Sequence, residues 1–258
     1  MNENDTLRQR IRDRQIVFGA FYKTNSPLIT EIFGYSGFDF IIVDCEHSGI
    51  GYESMENIIR TADSVGLSSI IRVPCASDEH IFHALDAGAT GVQLPNLSTA
   101  GEVEESVKFA KYYPLGNRGL SRATRAARYS FWTNETPYVE FANEKTLVSV
   151  HIENKEMVEQ IEQVCALEQV DVVFVGPADL SQSLGIPGKS SDPRVVEMAQ
   201  KVFDCAKRHG KAGGIFANNE EAVKKYINMG ATYILYGSDA DIFAAATKEL
   251  NRKFQQYR

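Results

Sequence analysis

The segment IIVDCEHSG carries Asp44, Glu46 and His47 at the point where an apolar run gives way to a loop. A histidine beside carboxylates can be oriented and made more basic, as a general base requires. The same residues also suit a solvated loop in which an aspartate caps the turn. In IIRVP, Arg72 follows two isoleucines. A guanidinium there needs an anionic partner or a developing oxyanion to offset its desolvation, so oxyanion stabilisation and an internal ion pair both fit. VSVHIEN puts His151 and Glu153 on one strand face by two-residue alternation, with Ile152 facing away. DVVFVGPADLS carries Asp179 just beyond a Gly-Pro turn. Two carboxylates from neighbouring strand ends, without cysteine, form a hard oxygen-donor pair suited to Mg2+ or Mn2+, with positions open for substrate. Acids with a purely structural task would show the same spacing. GPADLS also exposes backbone N–H groups that bind carboxylate oxygens, or is a plain turn with Asp179 or Ser181 as the helix cap.

What must position these residues is a series of short β-rich apolar runs alternating with longer helical patterns, the signature of βαβ units in a parallel sheet. The spacing predicts strands over 16–21, 38–44, 69–73, 91–94, 147–153, 171–175, 212–216 and 233–236. It predicts helices over 26–35, 52–65, 78–86, 99–112, 155–166, 193–209, 220–229 and 239–254. Gly37, Gly66, Gly88, Gly210 and Gly230 each fall between a helix and the next strand, where a left-handed C-terminal cap suits glycine. Eight such units make a single (β/α)8 TIM barrel, with the active site at the C-terminal ends of the strands. An open doubly wound sheet is the alternative, but no GxGxxG or GxxxxGK follows the first strand to supply its phosphate site.

The 258 residues fit one such domain, 1–258. The irregular part is 113–145, YPLGNRGLSRATRAARYSFWTNETPYVEFANEK, which is expected to cover the barrel mouth. It carries Arg118, Arg122, Arg125 and Arg128 among aromatics. A net charge of −7 nonetheless disfavours nucleic acid as a partner, so a solvated or interface helix, then anionic-substrate steering, are the preferred readings of that cluster. Cys45, Cys75, Cys165 and Cys205 stand apart without a CxxC pair, which indicates reduced, mostly buried thiols and neither a disulfide framework nor a structural zinc. The N-terminus has no apolar h-region and no later run is long enough for a bilayer, so a cytoplasmic protein without membrane contact is expected.

Several separate stretches, in order and over nearly the whole chain, resemble the HpcH/HpaI family of class II aldolases in the pyruvate/phosphoenolpyruvate barrel superfamily. They are GFDFIIVDCEHS, IIRVP, ALDAGATGVQLPNLSTAGE, YYPLGNRGLSRATRAARYSF, VHIEN, VDVVFVGPADLSQSLGIPG and GIFANN. The resemblance implies that Glu153 and Asp179 ligate a divalent metal ion, Mg2+ or Mn2+ or else Co2+, chelated by pyruvate. It implies that Arg72 stabilises the enolate oxygen, that His47 acts through water as base on the C4 hydroxyl, and that Asp44 orients His47. Asp86, in ALDAGATG, matches a family position that raises the basicity of that histidine, across a subunit boundary in an assembled enzyme. The backbone at Ala178 and Asp179 would take the pyruvate carboxylate. Two positions depart from the family pattern: His151 stands where glutamine is frequent, and is expected to contact substrate by a hydrogen bond from its imidazole, and Phe216 stands where a smaller aliphatic residue is usual, which narrows the substrate pocket.

The resemblance therefore implies cleavage of a 4-hydroxy-2-oxo acid, of the 2-keto-3-deoxy sugar acid or 4-hydroxy-2-oxo-dicarboxylate type, to pyruvate and an aldehyde. It also implies a homo-oligomer, a hexamer or a trimer- or dimer-based assembly. A Schiff-base lysine is unnecessary, and Lys155, the lysine nearest a predicted strand end, belongs to the following helix. The alternatives are a related carbon–carbon lyase on a CoA thioester or an oxaloacetate-like acid, and a ligand-binding barrel without turnover.

Overall fold

The computed structural model describes residues 6–258. Eight parallel strands, β1 Val17–Tyr22, β2 Phe40–Asp44, β3 Ser68–Arg72, β4 Gly91–Leu94, β5 Leu147–Ile152, β6 Val172–Val175, β7 Ala212–Ala217 and β8 Tyr233–Ser238, close in sequence order into a barrel. The helices are α1 Leu7–Arg12, α2 Pro27–Tyr35, α3 Tyr52–Ser64, α4 Asp78–Asp86, α5 Ala100–Ala110, α6 Tyr138–Lys145, α7 Lys155–Glu159, α8 Ile161–Ala166, α9 Pro177–Ser183, α10 Pro193–Arg208, α11 Glu220–Asn228 and α12 Asp239–Gln255. Helix starts are marked as expected of their sequences: Ser26, Ser77, Thr99, Asn154, Asn219 and Ser238 cap with their side chains, and Thr99 with Glu102 closes a capping box. The five glycines expected to end helices all have positive φ.

Strand alternation divides the apolar residues into two cores. Ile41, Val43, Ile71, Val92, Val150 and Val173 face outward under the helices. Val17, Phe21, Phe40, Ile42, Ile70, Leu147, Val172, Phe174, Tyr233 and Leu235 fill the barrel. A Cβ on Gly214 would lie 2.8 Å from Phe174 and 3.0 Å from Tyr233, so this strand glycine makes room for the large interior rings. Leu7 and Ile11 of α1 belong to the interior cluster and plug the barrel from below, and Arg8 ties the plug to Asp171 at 2.8 Å.

Four differences from the sequence expectation have local causes. The six-residue α1 is too short and polar for periodicity to reveal, and its order comes from the plug contacts. The helix expected over 155–166 is broken at Gln160 into α7 and α8. Asp179 lies within a further short helix, α9. The stretch 113–145 contains α6 and a 3-10 turn at Arg128–Ser130, and it does not cover the mouth. As a connection from a helix to the following strand it lies at the opposite end, where Arg118 pairs with Asp86 at 2.5 Å and Arg125 with Asp63 at 2.5 Å, each at the C-terminal end of its helix. Own-chain substrate steering by this arginine cluster is thereby overturned. A cleft of about 550 Å³ opens there between α1 and 113–145, lined by residues such as Arg10, Asp39 and Arg128.

Candidate active site

The interior alternation that packs hydrophobes in the lower barrel carries polar side chains at its upper rim. Asp44, Arg72, Gln93 and Ser149 stand in adjacent register on β2 to β5. Asp44 and Arg72 are buried and joined by two hydrogen bonds, Nε to Oδ1 at 3.0 Å and an Nη to Oδ2 at 2.6 Å. Glu46 Oε2 forms an ion pair with the other Nη at 3.1 Å, and the Lys23 ammonium lies 3.3 Å from Asp44. Burial would raise the Asp44 carboxyl, but Arg72, the His47 N–H and Lys23 together hold it below the usual carboxylate range. Two of the five guanidinium N–H groups of Arg72 are hydrogen-bonded, both to Asp44, which leaves others for a substrate oxygen. The cation also lies over the Phe21 ring at 4.7 Å, and Phe216 packs against Phe21 at 6.0 Å between centroids.

Glu153 is anchored from two directions. Its Oε1 accepts the Asn96 backbone N–H at 2.6 Å, and its Oε2 lies 2.8 Å from His151 Nδ1. Behind it runs a chain of hydrogen bonds: the Ser149 hydroxyl donates to the Gln93 carbonyl oxygen at 3.2 Å, and the Gln93 amide faces His151 Nε2 at 2.7 Å. That order assigns His151 the tautomer with the proton on Nδ1, donated to Glu153. Desolvation would raise Glu153; His151, the Asn96 N–H and Arg72 outweigh it and keep the carboxyl low. Both ring nitrogens of His151 are occupied and its ring stacks on Phe174, so it positions Glu153 rather than facing substrate.

Gly176 faces this carboxylate. A Cβ there would meet Glu153 Cβ at 3.1 Å, Glu153 Oε2 at 3.4 Å and Asp179 Oδ2 at 3.9 Å. The missing side chain leaves a cradle open between the two acids, and two oxygen donors with space beside them fit a hard divalent cation. Ala178 and Asp179 lie in the first turn of α9, whose N-terminus has no side-chain cap.

His47 stands on the loop after β2 with its side chain 61% exposed. Asp44 accepts its backbone N–H at 3.0 Å, and the ring nitrogen lies 3.9 Å from Glu46. Asp44 thus orients the His47 main chain and Arg72, not the imidazole. Asp86 closes α4 at the far end of the barrel, paired with Arg118, so within this chain it is remote from His47. Lys155 begins α7, as expected. Lys23, directly after β1, is nevertheless a lysine at a strand end that reaches the site, which corrects the expectation for Lys155. Cys45 and Cys75 are not buried, against expectation, while Cys165 and Cys205 are. Desolvation, with Asp44 adding, pushes the Cys45 thiol up to about 12.

Sequence reading missed Lys23, Gln93 and Asn96. Gln93 leaves a signal, a polar residue at an interior position of GVQLP. Asn96 adopts a left-handed backbone, φ +59°, that lets its N–H reach Glu153 and its amide reach Glu46 at 2.6 Å.

The model of the HpcH/HpaI aldolase/citrate lyase family matches residues 17–246. A 5-keto-4-deoxy-D-glucarate aldolase of Escherichia coli is 32% identical over 243 residues, 94% of either chain. Among solved structures, an HpcH/HpaI aldolase from Desulfitobacterium hafniense superposes with a TM-score of 0.91 at 29% identity, covering 97% of this chain and 96% of its own. The citrate synthase SbnG gives a TM-score of 0.85 at 32% identity, covering 97% and 98%. With that match along the barrel that carries Asp44, Arg72, Glu153 and Asp179, the chain belongs to the HpcH/HpaI aldolase/citrate lyase family.

Proposed function

We propose that this chain, one domain carrying the whole reaction, cleaves a 4-hydroxy-2-oxo acid to pyruvate and an aldehyde with one divalent cation, Mg2+ or Mn2+ and alternatively Co2+, held by Glu153 and Asp179. As a family member the chain is a carbon–carbon lyase. The glucarate-derived substrate named for the Escherichia coli relative favours a deoxy-keto sugar acid. The observation that carries the reading is the pair of carboxylates facing the space over Gly176, on the same rim as a buried guanidinium with N–H groups to spare.

When bound, the cation supplies Lewis-acid polarisation of the keto oxygen. Arg72 donates to that oxygen as the C3–C4 bond breaks and its electron pair moves onto the carbonyl. His47, reaching through a water, takes the C4 hydroxyl proton, and the O–H electrons become the aldehyde double bond. A proton returned to C3 completes pyruvate. The first-turn N–H groups of Ala178 and Asp179 face the substrate carboxylate, and Phe21 with Phe216 form an apolar wall that limits water near the oxyanion. Asp86 acts on His47 only from another copy of the chain.

The support for a homo-oligomer, a hexamer or a trimer- or dimer-based assembly, is an uncovered face. Of the seventeen residues of α12 only Asp239 is buried, with Phe243 69% exposed. Phe18 and Tyr236, on outer faces of β1 and β8 that a final barrel helix should cover, are likewise exposed. No helix among the described residues is long and apolar enough to cross a membrane, and the partners in this reading are a small 2-oxo acid and an aldehyde.

EDTA abolishes turnover and Mg2+, Mn2+ or Co2+ restores it; full activity in metal-free buffer would overturn the reading. Borohydride with pyruvate leaves the chain unmodified, whereas an adduct on Lys23 or Lys155 would mean a Schiff-base route. The likeness to SbnG favours one second reading, carbon–carbon chemistry on an oxaloacetate-like acid or a CoA thioester. Decarboxylation and CoA-ester assays beside aldol cleavage separate the two, and cation and pyruvate binding without product from any of them would leave a binding barrel.

A further inference from the structure

Four side chains that take no part in the strand-end site meet on the outside of the barrel, at its opposite end. Glu162 and Cys165 are one turn apart on α8, and Cys205 and His209 are one turn apart at the C-terminal end of α10. Residues three and four apart share a helix face, and α8 packs against α10, so the two pairs confront each other. One ligand atom from each of Glu162, Cys205 and His209 lies within 4.8 Å of the others, and His209 Nε2 is 2.9 Å from Glu162 Oε2. The Cys205 thiol interacts with both the Cys165 thiol and the Glu162 carboxylate. The thiols are buried and form a floor, while Glu162 and His209 form an exposed rim.

We propose that Glu162, Cys205 and His209, with the Cys165 thiol beside Cys205, form a second cation site, for a thiophilic divalent ion of the Zn2+ class. A sulfur, an imidazole nitrogen and a carboxylate oxygen make a three-donor set of borderline softness, with a second sulfur adjacent, which suits Zn2+. The hard pair Glu153 and Asp179 selects the opposite kind of ion, so the two sites sort metals by donor chemistry. Without the ion, the Arg208 guanidinium pairs with Glu162 and the His209 ring lies against it, in an exposed arrangement that a multidentate cation displaces at small cost. Burial pushes both thiols up. The linear sequence hides this site because the two pairs are about forty residues apart and become neighbours only when α8 and α10 dock.

The test uses the full-length reduced protein, stripped with chelator and titrated with Co2+. A thiolate-to-cobalt charge-transfer band saturates at one equivalent and is bleached by Zn2+. The band is lost in Cys205→Ser and at least tenfold weaker in affinity in His209→Ala, while Cys45→Ser/Cys75→Ser retains it. Aldol cleavage by Cys205→Ser with added Mg2+ reports that the variant is folded. Zn2+ also raises Tm in wild type and not in Cys205→Ser. Absence of the band, or its loss with Cys45 and Cys75 rather than Cys205, would overturn the proposal. The oxygen-donor site gives no thiolate band, so that outcome leaves the aldolase reading untouched.

Discussion

Gly176 decides how closely Glu153 and Asp179 approach one point in space. Gly176→Ala puts a methyl 3.1 Å from Glu153 Cβ and 3.4 Å from its Oε2, and the carboxylate must turn. We expect Mn2+ affinity, read by isothermal titration, to fall about 10–100-fold with the far-ultraviolet spectrum unchanged. Equal affinity would mean that the two acids do not share a cation. Another residue, Lys111, tests the energetics of the far end. Desolvation lowers its ammonium from 10.5 to about 7, with Arg8 adding to the effect and Asp171 opposing it. Between those values the unfolded chain holds the proton and the folded chain does not, so stability rises with pH, by at most about 1.4 kcal/mol per unit. Below about pH 7 both states are protonated and this slope vanishes. Against Lys111→Met, the wild type should therefore gain relative stability in urea melts taken from pH 7 to 9. A flat difference would show that the ammonium stays charged in the folded chain.

At the scale of elements, the strands and long helices were legible because their spacing is set by burial on one face, and observed ends lie close to the expected ones. Less legible were α1, α6 and α9, short segments whose order depends on what they touch. The segment 113–145 shows the consequence. Its length pointed to a functional loop, but its place after a helix and before a strand fixes it at the N-terminal end of the barrel. Arg125 pins it there through Asp63 at 2.5 Å and the Ala87 carbonyl at 2.9 Å. Arg125→Ala should cost about 1–3 kcal/mol in chemical denaturation while kcat/KM stays within about twofold. A large fall in kcat/KM with unchanged stability would return this segment to the reaction.

For the whole molecule, the exposed α12 is the feature that a single chain leaves unresolved in energetic terms. Ile242, Phe243, Leu250 and Phe254 face solvent along it, more apolar surface than one isolated helix retains without a partner. Phe243→Asp should shift the mass seen by multi-angle light scattering toward the 28.7 kDa chain and lower turnover with it, if Asp86 serves His47 across a contact between copies. Unchanged mass would remove α12 from the interface.

Residue type and order were enough to establish the closed alternation of strands and helices, the family, and the positions of Asp44, Arg72, His151 and Glu153 at or next to strand ends. These are properties of period and neighbourhood along the chain, which a linear string preserves. Which atoms meet was decided in three dimensions. Asp44 clamps Arg72 because β2 and β3 pair in that register. His151 serves Glu153 because Gln93, from the adjacent strand, takes its other nitrogen. Two cysteine-bearing helix faces meet because α8 and α10 cover the same side of the barrel. Hydrogen bonds and coordination act over a few ångströms, and between residues distant in sequence that separation exists only once the barrel has closed.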